Sequence, residues 1–143
     1  MKQRLLHLAL IPFLTLLAGC SKDSDAQVAQ PVTIAAKWNM ESQSVTGYDN
    51  QGKVIYSHSP PVQRGSYVQY DKDGTYQLSD GNRVYATGTY VYSGKTLTIK
   101  FFTNSVQKTV IMPVLELSSS KLKVETDEIT SSGHETYTYV YNR

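Results

Sequence analysis

A single thiol, at Cys20, is the one side chain in this chain of 143 residues with an obvious nucleophilic chemistry. Being alone, it cannot form an intramolecular disulfide, and a free thiol is a liability in an oxidising compartment unless something caps it. The other reactive groups are sparse. Beyond the N-terminal region only His58 and His134 remain as histidines, more than seventy residues apart and each beside turn-forming residues. That separation carries no zinc spacing, and no Gly-x-Ser-x-Gly elbow supplies a nucleophile for either to activate. Asp71-Lys72-Asp73-Gly74, with Asp80 further on, superficially resembles a calcium loop. Aligned on its glycine, however, it puts Gln69 where the first Asp belongs and Asp80 where a bidentate Glu belongs. A tight turn explains Asp73 and Gly74 without a cation. The sequence therefore assigns no catalytic residue, no metal ligand and no cofactor.

The elements around Cys20 say what its thiol is for. Lys2 and Arg4 form a positive start, and an apolar run follows from Leu5 to Leu17, interrupted by His7, Pro12 and Thr15. This run is too short to span the roughly 30 Å hydrocarbon core of a bilayer and has the form of a cleaved signal peptide. It ends in Leu17-Ala18-Gly19-Cys20, which resembles the lipobox read by the bacterial lipoprotein signal peptidase. An ordinary signal peptide that ends near a cysteine is the alternative. On the lipobox reading, residues 1–19 are removed and Cys20 takes up diacylglycerol and a further acyl chain such as palmitate. One acyl chain holds a protein marginally, and each buried CH₂ adds about 0.8 kcal/mol, so two or three chains give a firm anchor. The expected location is the bacterial cell envelope, lipid-anchored at the outer membrane, with the periplasmic or surface face left open. Residues 20–31 read as a flexible polar tether closed by Pro31. Within it, Ser21-Lys22-Asp23-Ser24-Asp25 resembles a short acidic surface-export signal, an ordinary solvated linker being the alternative.

Cleavage also changes the charge balance. Taking Lys2 and Arg4 from the 14 basic residues leaves 12 against 12 acidic ones. No basic patch follows from that balance, which excludes nucleic acid as an expected partner.

Residues 32–143 are long enough for one domain with a single core. No window here shows a sustained helical apolar period. Short runs rich in Tyr, Val, Thr and Ile alternate instead with Gly, Asp, Asn and Ser clusters. Strands are expected near 36–48, 53–58, 65–71, 75–79, 84–92, 95–102, 106–117, 121–130 and 134–141, with the first and seventh able to bend or split. Hairpin parity gives specific pairings. A Lys72-Asp73-Gly74 loop with Gly74 left-handed sets Tyr70 opposite Tyr76 and Val68 opposite Leu78. A Ser93-Gly94 turn sets Tyr90 opposite Leu97, with Tyr92 and Ile99 on the same side. A turn at Ser119-Ser120 sets Leu117 opposite Leu122 and Leu115 opposite Val124. A turn at Ser132-Gly133 sets Thr126 opposite Tyr139 and Val124 opposite Tyr141. The expected fold is all-β, an antiparallel up-and-down barrel of about eight strands; a β-sandwich is the alternative.

All 11 tyrosines lie beyond the tether, mostly on these strands. One reading places Trp38, Val68, Tyr70, Tyr76, Leu78, Tyr90, Tyr92, Leu97 and Ile99 around an internal cavity, with apolar ring faces and hydroxyl donors turned inward. The other has the same rings simply packing a half-buried sheet.

Trp38, Tyr70-Asp71-Lys72-Asp73-Gly74-Thr75-Tyr76, Gly88-Thr89-Tyr90, Gly94-Lys95-Thr96-Leu97-Thr98-Ile99, the Leu115–Leu122 hairpin and Tyr139-Val140-Tyr141 occur in that order. This succession resembles the lipocalin-like domains of Bacteroidetes lipoproteins, from about residue 35 to the C-terminus. One departure is Ala36, where lipocalins usually carry glycine two residues before the first-strand tryptophan. The resemblance implies a non-enzymatic domain that binds a small hydrophobic or aromatic molecule inside the barrel. A protein-binding module, an inhibitor or an accessory subunit of a cell-surface complex, is the alternative, with no particular protein partner indicated.

Overall fold

A computed structural model describes residues 32–143; the expected signal peptide, Cys20 and the expected tether lie outside the described residues. Among the described residues nine strands follow one another without a helix: β1 (Lys37–Asp49), β2 (Val54–His58), β3 (Tyr67–Tyr70), β4 (Thr75–Ser79), β5 (Val84–Ser93), β6 (Thr96–Thr103), β7 (Val106–Leu117), β8 (Lys121–Thr130) and β9 (Gly133–Asn142). From β3 to β9 each strand pairs with the next, and β9 returns to pair with β1 from Asn39 to Asp49. The far side of β1 is shared: its start pairs with β3 and its end with β2. The result is a closed antiparallel barrel of eight strands in which β2 extends one edge of β1. This is the barrel expected from the alternation, and the sandwich is set aside.

Two hairpins keep the expected register. Tyr70 faces Tyr76 and Val68 faces Leu78, with Gly74 at φ 86°; Leu117 faces Leu122. Two others shift by two residues. The β5–β6 turn is Gly94-Lys95, not Ser93-Gly94, so Tyr92 faces Leu97 and Tyr90 faces Ile99. Both turn residues are left-handed, Gly94 at φ 54° and Lys95 at φ 68°, the combination that a two-residue turn needs to match strand twist. Moving the turn along by one residue adds a Ser93–Thr96 pair to the ladder. Likewise the β8–β9 turn is Ser131-Ser132, so Val124 faces Tyr139 and Leu122 faces Tyr141. Gly133 belongs to the strand rather than the turn. A Cβ there would lie 1.9 Å from the Tyr48 carbonyl oxygen, so the glycine is set by the close passage of β1. A shift of two changes no side chain's face, which is why the inward set survives both corrections.

Leu115 is the third correction. A bulge in β7 between Val114 and Glu116 places Val114, not Leu115, opposite Val124 and turns Leu115 out to 50% exposure. A second bulge, between Met40 and Ser42, bends β1. Both long strands thus bend, as their length and sequence anticipate.

The barrel has one closed end. Trp38, Leu97, Leu122 and Val124 are fully buried there, and Ile34 packs with them. The Trp38 indole donates from Nε1 to the Ile34 carbonyl at 2.8 Å. The Arg143 guanidinium lies 4.2 Å over the Trp38 ring and donates to the Thr33 carbonyl at 2.8 Å. The chain therefore enters and leaves the described domain at the same pole. The Asn50–Lys53, Asp80–Arg83, Asn104–Ser105 and Ser131–Ser132 connections stand at the opposite pole, where the barrel opens.

Candidate functional site: the barrel cavity

Above the packed floor the interior is empty, forming a cavity of about 680 Å³. This is within the range of about 300–1,000 Å³ typical of small-molecule pockets. Its size follows from residue choice on the inner face. Gly88 and Ala86 sit where β5 passes Tyr76 and Leu78, leaving the upper part of that wall thin. Ile99, Val110 and Met112, on the adjoining strands β6 and β7, continue the wall with apolar side chains.

The candidate residues divide into three groups. Val68, Tyr70, Tyr76, Leu78 and Ile99 line the cavity. Trp38 and Leu97 lie beneath it, with no exposed surface, as the floor's packing. Tyr90 and Tyr92 pack against the core cluster. The Tyr90 hydroxyl donates to the Asp71 carbonyl at 2.8 Å, which fastens β5 to the β3–β4 turn and leaves that donor occupied. The cavity also takes residues that the candidate set lacks, among them Met40, Gln43, Tyr85, Thr126, Tyr139 and Tyr141. Alternation along β8 and β9 could have supplied Thr126, Tyr139 and Tyr141. Met40 and Gln43 share a face only because of the β1 bulge, and Tyr85 sits at a bulge between β4 and β5.

Three buried tyrosines add hydroxyl donors to a lining that also includes Gln43, Thr109 and Thr126. Tyr70, Tyr76 and Tyr141 are 4%, 4% and 6% exposed, and none of their hydroxyls is hydrogen-bonded among the described residues. Yet no fully enclosed side-chain oxygen or nitrogen is left without a partner there. These hydroxyls must therefore reach the open space that their rings line. Burial pushes the Tyr70 and Tyr141 phenols well above the usual tyrosine range. Burial, with Tyr85 adding to it, pushes Tyr76 up to about 12. All three remain neutral donors throughout the physiological range. The rings support one another: Tyr70 meets Tyr90 edge-on at 4.9 Å and Tyr76 at 6.2 Å.

Near the mouth the inner face becomes acidic. Glu128 on β8 stands directly opposite Glu135 on β9. Glu135 accepts hydrogen bonds from the Tyr137 hydroxyl at 2.5 Å and from the Tyr56 hydroxyl of β2. These bonds hold the Glu135 carboxyl below its usual range and, with its charge, push Tyr137 up to about 12. Tyr56 reaches Glu135 by lying across Gly47, where a Cβ would fall 2.4 Å from the ring. A smaller pocket of about 270 Å³ lies under the 61–66 segment and shares Met40, Gln43 and Tyr85 with the main cavity.

The two histidines lie in strands rather than turns. His134 stacks on Tyr48 at 4.6 Å on the outer face, and His58 ends β2 beside Tyr56. Among the described residues no group of three or more His, Cys, Asp or Glu is placed to hold a metal ion. In the β3–β4 turn, Asp73 Oδ1 accepts from the Thr75 amide and hydroxyl, and Asp71 accepts from Gln69, so these carboxylates serve the hairpin itself.

A search of curated proteins finds no match to this chain. The family model for the lipocalin-like domain matches residues 34–124, from the buried Ile34 to the middle of β8, while β9 follows the matched segment and completes the ring. With that match over more than half of the sequence and a closed eight-stranded barrel around an internal cavity, the chain belongs to the lipocalin-like domain family.

Proposed function

We propose that this protein is a non-enzymatic binding lipoprotein, lipid-anchored through Cys20 in a bacterial envelope, that takes a small hydrophobic or aromatic molecule into its barrel. The lipocalin-like barrel is generally a binding fold, and the observation that carries the finer reading is the cavity of about 680 Å³, in which unspent tyrosine donors stand among aliphatic side chains. A core built only for stability would fill such a volume, since each void costs packing energy. The test is thermal denaturation of residues 32–143 across a panel of fatty acids, sterols and aromatic metabolites. A ligand at one hundred times its Kd stabilises the fold by about 2.7 kcal/mol. Thermal shift is preferable to fluorescence because Trp38 lies under the cavity floor. Silence across the whole panel removes the reading.

One observation favours a protein-binding module as the second reading. On the outer face Val91 and Ile111 flank Thr98 across three adjacent strands, at 64% and 63% exposure. Recovery of a stoichiometric partner from detergent-solubilised envelopes, lost in a Val91→Lys, Ile111→Lys double variant, would support it.

A further inference from the structure

The cavity is charged on one side only. None of the residues lining it is Lys, Arg or His, whereas Glu128 is turned inward at its mouth. Strand parity fixes that direction, because Val124, Thr126 and Glu128 alternate on one face of β8 opposite Tyr139, Tyr137 and Glu135. Glu128 makes no salt bridge among the described residues; the two present there are Arg83–Asp80 and Lys121–Glu116. Glu135 is its nearest cross-strand neighbour. Glu135 is already held by the Tyr137 and Tyr56 hydroxyls and by the charge of His58, so Glu128 is the carboxylate at the mouth that has neither a hydrogen bond nor an ion pair among the described residues. Aromatic faces surround it. Tyr137 and Tyr139 stack nearly parallel, with ring centres 6.5 Å apart, and Glu128 acts on both phenols. Carboxylates beside tyrosine faces form a setting that attracts a cation, through charge and through the ring quadrupoles.

Resting on the cavity reading above, we infer that the barrel selects its ligand by charge: it takes an apolar body bearing an amine, the ammonium held at the mouth by Glu128 and the tyrosine faces, and it rejects carboxylates. The apolar body lies against Ile99, Val110 and Met112, and the inner tyrosine hydroxyls donate to any acceptor it carries. A carboxylate head has no cation to meet in the cavity, and at the mouth it meets a like charge.

A matched series separates these statements. Decylamine, decanamide and decanoate share one body and differ in head-group charge at neutral pH. Calorimetric titration below their aggregation concentrations gives the three affinities. The expected order is amine, then amide, then carboxylate, with amine and carboxylate at least about tenfold apart, the size expected for one partly screened charge contact. Glu128→Gln should bring amine and carboxylate to within about threefold. It should not lower the unfolding temperature, since the exposed Glu128 carboxylate makes no hydrogen bond or salt bridge among the described residues. Decanoate binding as tightly as decylamine, or a preference that Glu128→Gln leaves intact, overturns the charge inference while the cavity reading stands. Failure of all three to bind overturns the charge inference, and silence across the wider panel as well overturns the cavity reading itself.

Discussion

The Arg143 guanidinium lies over the Trp38 indole, 4.2 Å from the ring centre, and its Nη2 donates to the Thr33 carbonyl. One side chain thus fastens the end of β9 to the start of β1 and to the segment that crosses the closed pole. Arg143→Ala should cost about 1–2 kcal/mol, from a partly exposed cation–π contact and one charge-assisted hydrogen bond. Arg143→Lys should recover only part, because an ammonium lacks the planar face. Urea unfolding should show a lower midpoint with an unchanged slope.

Two neighbours on β6 should respond differently to truncation. Leu97 is fully buried in the floor, whereas Ile99 borders the existing cavity. Leu97→Ala should cost about 2–5 kcal/mol by leaving a new void. Ile99→Ala should cost less, since its methyl groups already face open space, but it should change ligand affinity. Equal stability losses would contradict the division between floor and wall.

Glycines separate in the same way. At Gly88 a Cβ would lie 2.0 Å from the Lys100 carbonyl oxygen and 2.9 Å from the Tyr76 ring. At Gly94 nothing lies within 4 Å, and only the left-handed φ of 54° opposes a side chain. Gly94→Ala should cost about 1 kcal/mol, and Gly88→Ala about 3 kcal/mol or more, because β6 must move away. Thermal unfolding of the two variants checks the order.

Alkaline pH should unfold the barrel through its tyrosines. Tyr70, Tyr76 and Tyr141 are raised by burial, Tyr76 to about 12, against an ordinary value of 10.0. The native state holds these protons more tightly than the unfolded chain. Their stabilising contribution is therefore complete below pH 10 and is lost as pH rises towards the folded values. Absorbance near 295 nm should show early ionisation of the exposed phenols, and then a cooperative step that coincides with loss of near-ultraviolet circular dichroism. A Tyr70→Phe, Tyr141→Phe variant should shift that step upward.

Cys20→Ser should leave the unfolding temperature of the barrel unchanged while abolishing incorporation of an alkyne palmitate analogue and cleavage after Gly19. A hydroxyl is far less nucleophilic than a thiolate, and the polar stretch from Ser21 to Gln30 separates this position from the core in sequence. A wild-type protein that takes no label would refute the lipid anchor.

The strands were legible because alternation and turn chemistry agree along the sequence. All nine strands fall within about two residues of the ranges expected from residue type, since Tyr, Val and Thr runs are bounded by Gly, Asn and Asp. Register was harder. Ser93-Gly94 and Gly94-Lys95 keep the same side chains inward, so no pattern of apolar residues distinguishes them; only the added Ser93–Thr96 pair does. Leu115 misleads for another reason: a bulge reverses parity, and nothing in Val114-Leu115-Glu116 announces it. The cavity was legible as an aromatic inner face, but its depth was not. Trp38 and Leu97 share the parity of Ile99 yet lie in the floor, because alternation reports a side chain's face and not its height along the barrel axis. Tyr85 and Gln43 are out of reach for the same reason as Leu115, since bulges place them.

The shared pole of entry and exit makes the domain easy to handle by its base. Thr33 and Arg143 touch there, so an affinity tag, a bead or a fused partner joined directly before Val32 or after Arg143 is attached at the pole away from the opening. The Asn104-Ser105 and Ser131-Ser132 turns occupy the rim, and both are short and exposed. Grafts at those two sites would crown the opening, whereas grafts at the termini would leave it clear. The barrel can therefore be immobilised on a sensor surface in one orientation, with its ligand entering from solution.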